Sequence, residues 1–341
     1  MKRPTIADIA RRAGVTKAAV SFALNGQPGV SASTRERILA IADEIGFEPS
    51  KAARALSDGR AGAFGLIIDR PARTLGVGPY FMQLIAGIET ELSSAHLPLL
   101  LTLAEDQDAQ IAMYRSWWAQ RQVDGVFVVD LSIDDRRVAV LEELGMPAVV
   151  IGTPAGAGSL PAVWQDDATA TRAVVDYLAG AGHRRIARVT GIPRLWHTKI
   201  RTDAFCAAAA ERGVDAMLME GDYTGENGAA ATLRLLGGSH PPTAIVYDND
   251  LMAVSGLGAA QRIGVGVPAD LSIVAWDDSP LCELVYPPLT ALSRDSAATG
   301  AHAARALIQT AAGGAVGDHE EPVPGLTVRG STSAPAPVIT G

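Results

Sequence analysis

The sequence predicts a small all-α head built around a helix-turn-helix, followed by a two-lobed α/β core with a parallel sheet in each lobe. Three observations carry that expectation. Residues 1–60 hold ten Lys/Arg against six Asp/Glu, a local charge of +4, while the 341-residue chain carries −8 overall and the remainder therefore −12. Three short helical patterns fill the first 46 residues. From Ala63 onward, strand-sized apolar runs alternate with helical patterns, as parallel sheets covered on both faces require. A basic head on an acidic body suits a polyanion-binding module joined to a part with a different task.

In the head, Thr5-Ile-Ala-Asp8 reads as a capping box, and Ile6, Ile9, Ala10 and Ala13 form one apolar stripe at helical spacing. Gly14 ends that helix, and Val15-Thr16 leads directly into a second, Lys17 to Leu24. Asn25-Gly26 with Pro28-Gly29 breaks the pattern. Ser31 caps a third helix, whose stripe is Ile38, Ile41, Ala42 and Ile45, closed by Gly46. Two helices joined by a tight turn and braced by a third make a helix-turn-helix. Residues 47–61 are a connector. Its helix-favouring run Lys51–Leu56 is too short to hold a helix alone, so it is either stabilised by something else or simply a linker.

In the core, strands are predicted at Phe64–Asp69, Leu97–Leu103, Gly125–Asp130, Ala148–Ile151, Ile186–Thr190, Ala244–Tyr247 and Ile273–Trp276. Helical patterns lie near 81–95, 108–121, 135–144, 168–181, 199–212, 226–237 and 250–263. The Pro/Gly-rich stretch Gly152–Pro161 falls near the middle, which suggests two lobes with a ligand cleft between them. Ligands of open α/β sheets sit beyond the carboxyl ends of strands. Asp69-Arg70, Asp248-Asn249 and Trp276-Asp277 all follow predicted strands, so they converge on one crevice. Asp248 and Asn249 have a second reading, since either can cap the helix that begins at Asp250.

Several function classes are excluded. With 48% hydrophobic, 19% charged and 5% aromatic residues, the composition is that of an ordinary globular protein, and no apolar run is long enough to span a membrane. Met1-Lys-Arg-Pro-Thr5 runs into helix-forming sequence with no apolar h-region, so no secretory signal is expected and the expected compartment is the cytoplasm. Cys206 and Cys282 make neither a disulfide framework nor a structural zinc site. There is no G-x-S-x-G, no H-E-x-x-H and no P-loop lysine motif. Gly264-Val-Gly-Val lacks the third glycine of a dinucleotide fingerprint and follows a helix. The six histidines show no metal-ligand spacing. An enzyme is therefore not expected, nor a cofactor or a metal. The rivals are a sugar-binding transport receptor, against which the basic head counts, and a sugar-active enzyme.

The run from Thr5 to Asn25 (TIADIARRAGVTKAAVSFALN) and Val30 to Arg37 (VSASTRER), then Ala53 to Leu56 (ARAL), resemble the lactose-repressor (LacI/GalR) family of bacterial transcription regulators. So do Gly182–Ala187 (GHRRIA), Asp248–Ala253 (DNDLMA), Val267–Asp278 (VPADLSIVAWDD), Pro288–Thr290 (PLT) and Val328–Thr332 (VRGST), in the family's order along essentially the whole chain. The resemblance implies a homodimeric repressor with a core like the periplasmic sugar-binding proteins. Its partners would be a pseudo-palindromic double-stranded operator DNA and a small, carbohydrate-like effector. The expected boundaries are a head at 1–48, a hinge at 49–61, a core at 62–333 and a tail at 334–341. Lobe one takes about 62–162 and 294–322, and lobe two about 163–293 and 323–333.

Carried onto this sequence, the resemblance places Lys17, Ala18, Ser21 and Phe22 in the major groove, with Thr5, Thr16 and Asn25 completing the head's contacts. Phe22 stands where the family often has a polar or basic residue; a phenyl ring packs on a thymine methyl but donates nothing to guanine. Thr34 reads equally as a phosphate contact or a simple helix cap. Ala53, Arg54 and Leu56 belong to the hinge, with Leu56 as a minor-groove wedge; docking on the core is the other reading for that leucine. For the effector, the resemblance assigns Arg201, Asn249 and Asp277 to hydroxyl or other polar groups, with Arg201 and Asp277 as opposed donor and acceptor. Tyr80, Phe81 and Tyr223 are aromatic walls, His197 is a further contact, and Asp69 joins them by its strand-end position. Tyr80 and Phe81 read equally as core residues at a helix start.

Overall fold

The structure is a computed structural model that describes residues 4–47, 60–70 and 78–336. The hinge assignments Ala53, Arg54 and Leu56 lie outside the described residues. The chain divides into two units, residues 1–62 and 63–341.

The first unit contains α1 (Ile6–Ala13), α2 (Lys17–Leu24) and α3 (Ala32–Glu44). Each begins where a side chain satisfies an end of the helix that has no intrahelical partner. The Asp8 carboxylate accepts from the Thr5 N–H at 3.0 Å and the Thr5 hydroxyl at 2.6 Å. Thr16 Oγ1 accepts from the Ala19 N–H at 3.2 Å, and Ser31 Oγ from the Thr34 N–H at 3.3 Å. Gly14, at φ 66°, supplies the left-handed residue that turns the chain from α1 toward α2. Ile9, Ala10, Ala13, Val20, Ala23, Ile38 and Ala42 meet in one buried cluster, so the inner face of each helix is fixed by its apolar stripe.

In the second unit, β1 (Phe64–Ile68), α4 (Pro79–Ser94), β2 (Leu99–Leu103), α5 (Gln107–Ala119), β3 (Gly125–Val129), α6 (Arg136–Leu144), β4 (Ala148–Ile151) and β5 (Ala162–Trp164) build the first lobe. α7 (Asp167–Gly180), β6 (Arg185–Val189), α8 (Trp196–Glu211), β7 (Asp215–Met219), α9 (Gly225–Leu236), β8 (Ala244–Tyr247), α10 (Asp250–Arg262), β9 (Ser272–Trp276), α11 (Pro280–Leu284) and β10 (Thr290–Ser293) build the second. The chain then returns to the first lobe as α12 (Ser296–Ala311) and β11 (His319–Glu320), and ends in the second as β12 (Gly325–Thr327). The first sheet runs β11-β5-β4-β3-β1-β2 and the second β12-β10-β9-β8-β6-β7. Every pairing is parallel except β12 with β10.

β1, β3, β4 and β9 are buried along their whole length, and alternate residues feed cores on opposite faces. Ile67, Val126, Val128 and Val150 point to one, while Leu66, Ile68, Phe127 and Val149 point to the other. That burial on both faces is why these strands read as continuous apolar runs. The crossing of α4 and α12 depends on two glycines. A Cβ on Gly87 would lie 1.9 Å from the Ala297 carbonyl oxygen, and one on Gly300 would lie 2.2 Å from that of Leu84. This close approach holds the start of α12, and Arg294 just before it, beside the start of α4.

Candidate functional site

Between the two sheets the chain encloses a cleft that is partly open to solvent. Loops at the carboxyl ends of strands line it from both lobes. Lobe one contributes Arg70, Tyr80, Phe81, Asp130 and Thr153, and lobe two His197, Arg201, Tyr223, Asn249 and Asp277, with Arg294 from the returning segment.

The chemistry of the cleft is set by arginine–aspartate pairs. Arg70 meets Asp130 at 2.8 Å, Arg201 meets Asp167 at 2.8 Å, and Arg294 meets Asp277 at 2.7 Å. Beneath them the fully buried Arg188 grips Asp248 through contacts of 2.6, 2.8 and 3.0 Å, and Asp248 also accepts from the Gly191 N–H at 2.7 Å. Each of three guanidiniums also lies on an aromatic face: Arg201 on Trp276 at 3.7 Å, Arg294 on Tyr80 at 4.4 Å and Arg70 on Tyr223 at 5.0 Å. Burial opposes the charge of Arg201, but Asp167 and then Asp248 hold its pKa above the ordinary value. Arg294 is likewise raised by Asp277 against the cost of burial.

Burial, reinforced by the positive charges of Arg201, Arg70, Arg294 and Arg188, pushes His197 well below its ordinary range. It is a neutral imidazole at neutral pH, with Nε2 2.6 Å from the Tyr223 hydroxyl. Thr198 Oγ1 lies 3.1 Å from the same hydroxyl. Burial raises the Tyr223 phenol, which stays protonated. Asp250 at the start of α10 is pushed up to about 6, first by burial and then by the charge of Asp277.

The structure brings together Tyr80, Phe81, His197, Arg201, Tyr223, Asn249 and Asp277 from the sequence expectations. Asp69 is a correction. It does not line the cleft but turns outward, where it pairs with Arg194 at 2.9 Å; its neighbour Arg70 takes the inward position. Arg201 and Asp277 both line the cleft, and each already has a counter-ion of its own. The aromatic walls are partly spoken for, since Tyr80 and Tyr223 already support guanidiniums. Tyr80 and Phe81 pack on the lobe-one core and also line the cleft. Asn249 takes its capping reading: Oδ1 caps α10 at 2.8 Å from Met252 N, and Nδ2 donates to the Tyr223 carbonyl at 3.0 Å. Asp130, Asp167 and Arg294 were missed, and Arg70 was placed at the crevice by its strand end but not assigned to the ligand. Arg294 would have been found by the strand-end rule had β10 been legible.

On the head, α2 buries Val20 and Ala23 and turns Lys17, Ala18 and Phe22 outward, with Ser21 half-buried between them. Asn25 follows, exposed, at the C-cap. Thr16 and Thr5 spend their hydroxyls on the caps described above. The Thr34 hydroxyl accepts from Ser31 Oγ at 2.8 Å, and the cap of α3 is Ser31 rather than Thr34. Among the described residues no helix is long and apolar enough to cross a membrane.

Residues 5–50 match the family described as bacterial regulatory proteins, lacI family, and residues 175–332 match the periplasmic binding protein-like domain. The chain is 33% identical over 343 residues to the HTH-type transcriptional regulator MalR of Streptomyces coelicolor, covering 96% of each protein. Its fold is similar to that of the lac repressor dimer bound to operator and the anti-inducer ONPF, with a TM-score of 0.85, 26% identity, and coverage of 98% of this chain and 100% of that one. It is also similar to the transcriptional regulator CelR in complex with cellobiose, with a TM-score of 0.73, 27% identity, and coverage of 96% and 100%. The helix-turn-helix head, the two-lobed core and these matches along nearly the whole length have one reading: the chain belongs to the LacI family of bacterial transcriptional regulators.

Proposed function

We propose that this regulator works in the cytoplasm as a homodimer that binds a pseudo-palindromic operator as a repressor, and that a neutral, carbohydrate-like effector in the inter-lobe cleft sets its affinity for DNA. The observation that carries the effector reading is the charge balance of the cleft. Among the described residues, the arginines that line the cleft, Arg70, Arg201 and Arg294, each already have a carboxylate partner, so none of the three awaits an anionic ligand. What the cleft offers instead is oriented donors and acceptors, suited to a ligand with many hydroxyls. The cellobiose bound by the similar CelR fits this reading. Effector binding acts only through a difference in affinity between two lobe arrangements.

Support for the dimer comes from lobe two. Ile263, Leu284 and Tyr286 are exposed by 52%, 80% and 88%, and Gln261 Nε2 donates to the Tyr286 carbonyl at 2.9 Å, which sets the end of α10 beside the segment after α11. Exposed apolar residues of this kind suit a self-complementary C₂ contact. For DNA, Thr5, Thr16, Lys17, Ala18, Ser21, Phe22, Asn25 and Thr34 are the proposed head contacts, with Ala53, Arg54 and Leu56 in the hinge.

The test is footprinting and gel-shift on DNA upstream of the protein's own gene, repeated with neutral saccharides and with sugar phosphates. Two symmetric protected half-sites and a response to a neutral saccharide are expected. Protection of one asymmetric half-site would overturn the dimeric reading, and a response confined to sugar phosphates would overturn the effector class.

A further inference from the structure

We propose a divalent metal site, of the zinc type, on the first lobe, formed by His302, His319 and Glu321. One ligand atom from each of the three lies within 4.8 Å of the other two. His302 comes from the middle of α12, whereas His319 and Glu321 flank the last residue of β11, so the set is invisible in the sequence spacing and arises only when β11 joins the sheet edge beside α12. The two imidazole rings meet edge to face at 4.6 Å. His302 Nδ1 is hydrogen-bonded to Glu321 Oε1, and His319 Nε2 lies 3.7 Å from the same oxygen.

Burial gives the cluster its character. Glu321 is only 6% exposed, and a carboxylate taken out of water requires a compensating positive charge. Among the described residues its ion-pair partners are both imidazoles, which carry charge only when protonated. A divalent cation held by the carboxylate and both rings supplies that charge whatever the protonation of the histidines. Two imidazoles and one carboxylate suit zinc and its d-block neighbours, and suit magnesium poorly, because magnesium prefers an all-oxygen shell. Tetrahedral zinc with bonds of about 2.1 Å holds its ligand atoms about 3.4 Å apart, so the site closes with a movement of roughly 1 Å. The half-exposed His319 ring has the freedom to make it. Water completes the shell.

The position gives the site a consequence. α12 begins three residues after β10 of the second sheet, and β11 ends just before the chain leaves for β12 of that sheet. The cation would therefore fasten the segment that enters lobe one to the segment that leaves it. β11 is otherwise held by its short pairing with β5, by the Glu321 N–H on the Trp164 carbonyl at 2.8 Å, and by Asp318 accepting from the Ala162 N–H at 2.9 Å.

The test uses the full chain without a polyhistidine tag, stripped with EDTA, dialysed, and titrated calorimetrically with Zn²⁺ and separately with Mg²⁺. One Zn²⁺ per chain, a higher melting temperature with Zn²⁺, and no comparable Mg²⁺ binding are expected. His319→Ala removes an exposed ring and leaves the fold intact; it should weaken Zn²⁺ binding at least tenfold, as should His302→Gln. Absence of Zn²⁺ binding, equal affinity for Mg²⁺, or affinity unchanged in His319→Ala would overturn the site and leave the cluster a hydrogen-bonded brace.

Discussion

The surface proposed for DNA and the cleft proposed for the effector handle positive charge in opposite ways. On α2, Lys17 is exposed, and among the described residues the head's ion pairs involve Arg11 and Arg12 instead. Those pairs are themselves exposed, at 3.3 and 3.1 Å, and worth little. In the cleft, by contrast, the described lining arginines Arg70, Arg201 and Arg294 are each paired with a carboxylate and largely buried. A polyanion is recognised through charge left free in water, where counterion release rewards each contact. A neutral ligand is recognised through hydrogen bonds whose geometry is fixed beforehand, and paired charges hold that geometry. Positive charge therefore suits attraction in one region and positioning in the other.

The largest expected effect tests whether the cleft pairs are structural as well as functional. Asp277→Ala would strand the Arg294 guanidinium, whose side chain is 15% exposed. Breaking a buried pair from one side costs ~3–5 kcal/mol, and the residual exposure places this variant at the low end of that range. Arg12→Ala, which breaks the exposed pair with Glu44, should cost about 1 kcal/mol or less. Urea unfolding of both variants measures the contrast. Equal costs would dissolve the distinction between the two regions.

Asp250 gives the next largest effect, with the opposite sign. Burial pushes its carboxyl up to about 6 from the ordinary 3.8, so the ionised form is disfavoured by folding. The contribution of Asp250 to stability should rise as the pH falls from about 6 to 4 and be lowest above that window. Asp250→Asn removes the penalty, and a shift of this size corresponds to roughly 1–3 kcal/mol gained at pH 8, vanishing below pH 4. Thermal melts across that range check it; an equal gain at pH 8 and pH 4 would show that the aspartate charge is not the cause.

The head offers a smaller but more specific test. Lys17→Ala should weaken operator binding uniformly and reduce the slope of log affinity against log salt by about one, as expected for one lost phosphate contact. If Lys17 reads a base instead, the loss should be confined to one operator position. A cleft variant such as Arg201→Ala should leave that slope unchanged while losing the effector response.

How much of this was legible in the sequence depends on where each signal was stored. Caps and apolar stripes are local, so the three head helices were read from Thr5, Thr16, Ser31 and the residues between them. Strands buried on both faces are also local in signal, and β1, β3, β4, β8 and β9 were read within a residue or two. β7 was missed because it is an edge strand with much of its length exposed, and Asp215–Met219 makes no continuous apolar run. β5 and β12 are three residues each, too short for any period to register. α12 is rich in alanine, so its packing face has no strong stripe; Gly87 and Gly300 matter there through absent atoms. In the cleft, the strand-end rule found the right crevice but could not say which of two neighbouring side chains turns inward.

Asp69 and Arg70 are the pair on which that failure is most exposed, and they carry the smallest expected effect. Asp69 pairs with Arg194, whose side chain is 54% exposed, so the bond competes with water and salt. Asp69→Ala should change stability by less than about 1 kcal/mol and leave effector affinity where it was. Arg70→Ala, one residue on, should do the reverse. It removes a buried guanidinium from Asp130 and from the face of Tyr223, and Tyr223 is held against His197 on the effector side of the cleft. If about 1.5–3 kcal/mol of the lost ion pairing falls on effector binding, affinity drops roughly ten- to a hundredfold. Calorimetric titration of the two folded variants with the identified effector separates them. A weakened Asp69→Ala beside an unchanged Arg70→Ala would mean that the ligand is approached from the outer rim, and that the arginine–aspartate pairs inside the cleft only hold the lobes together.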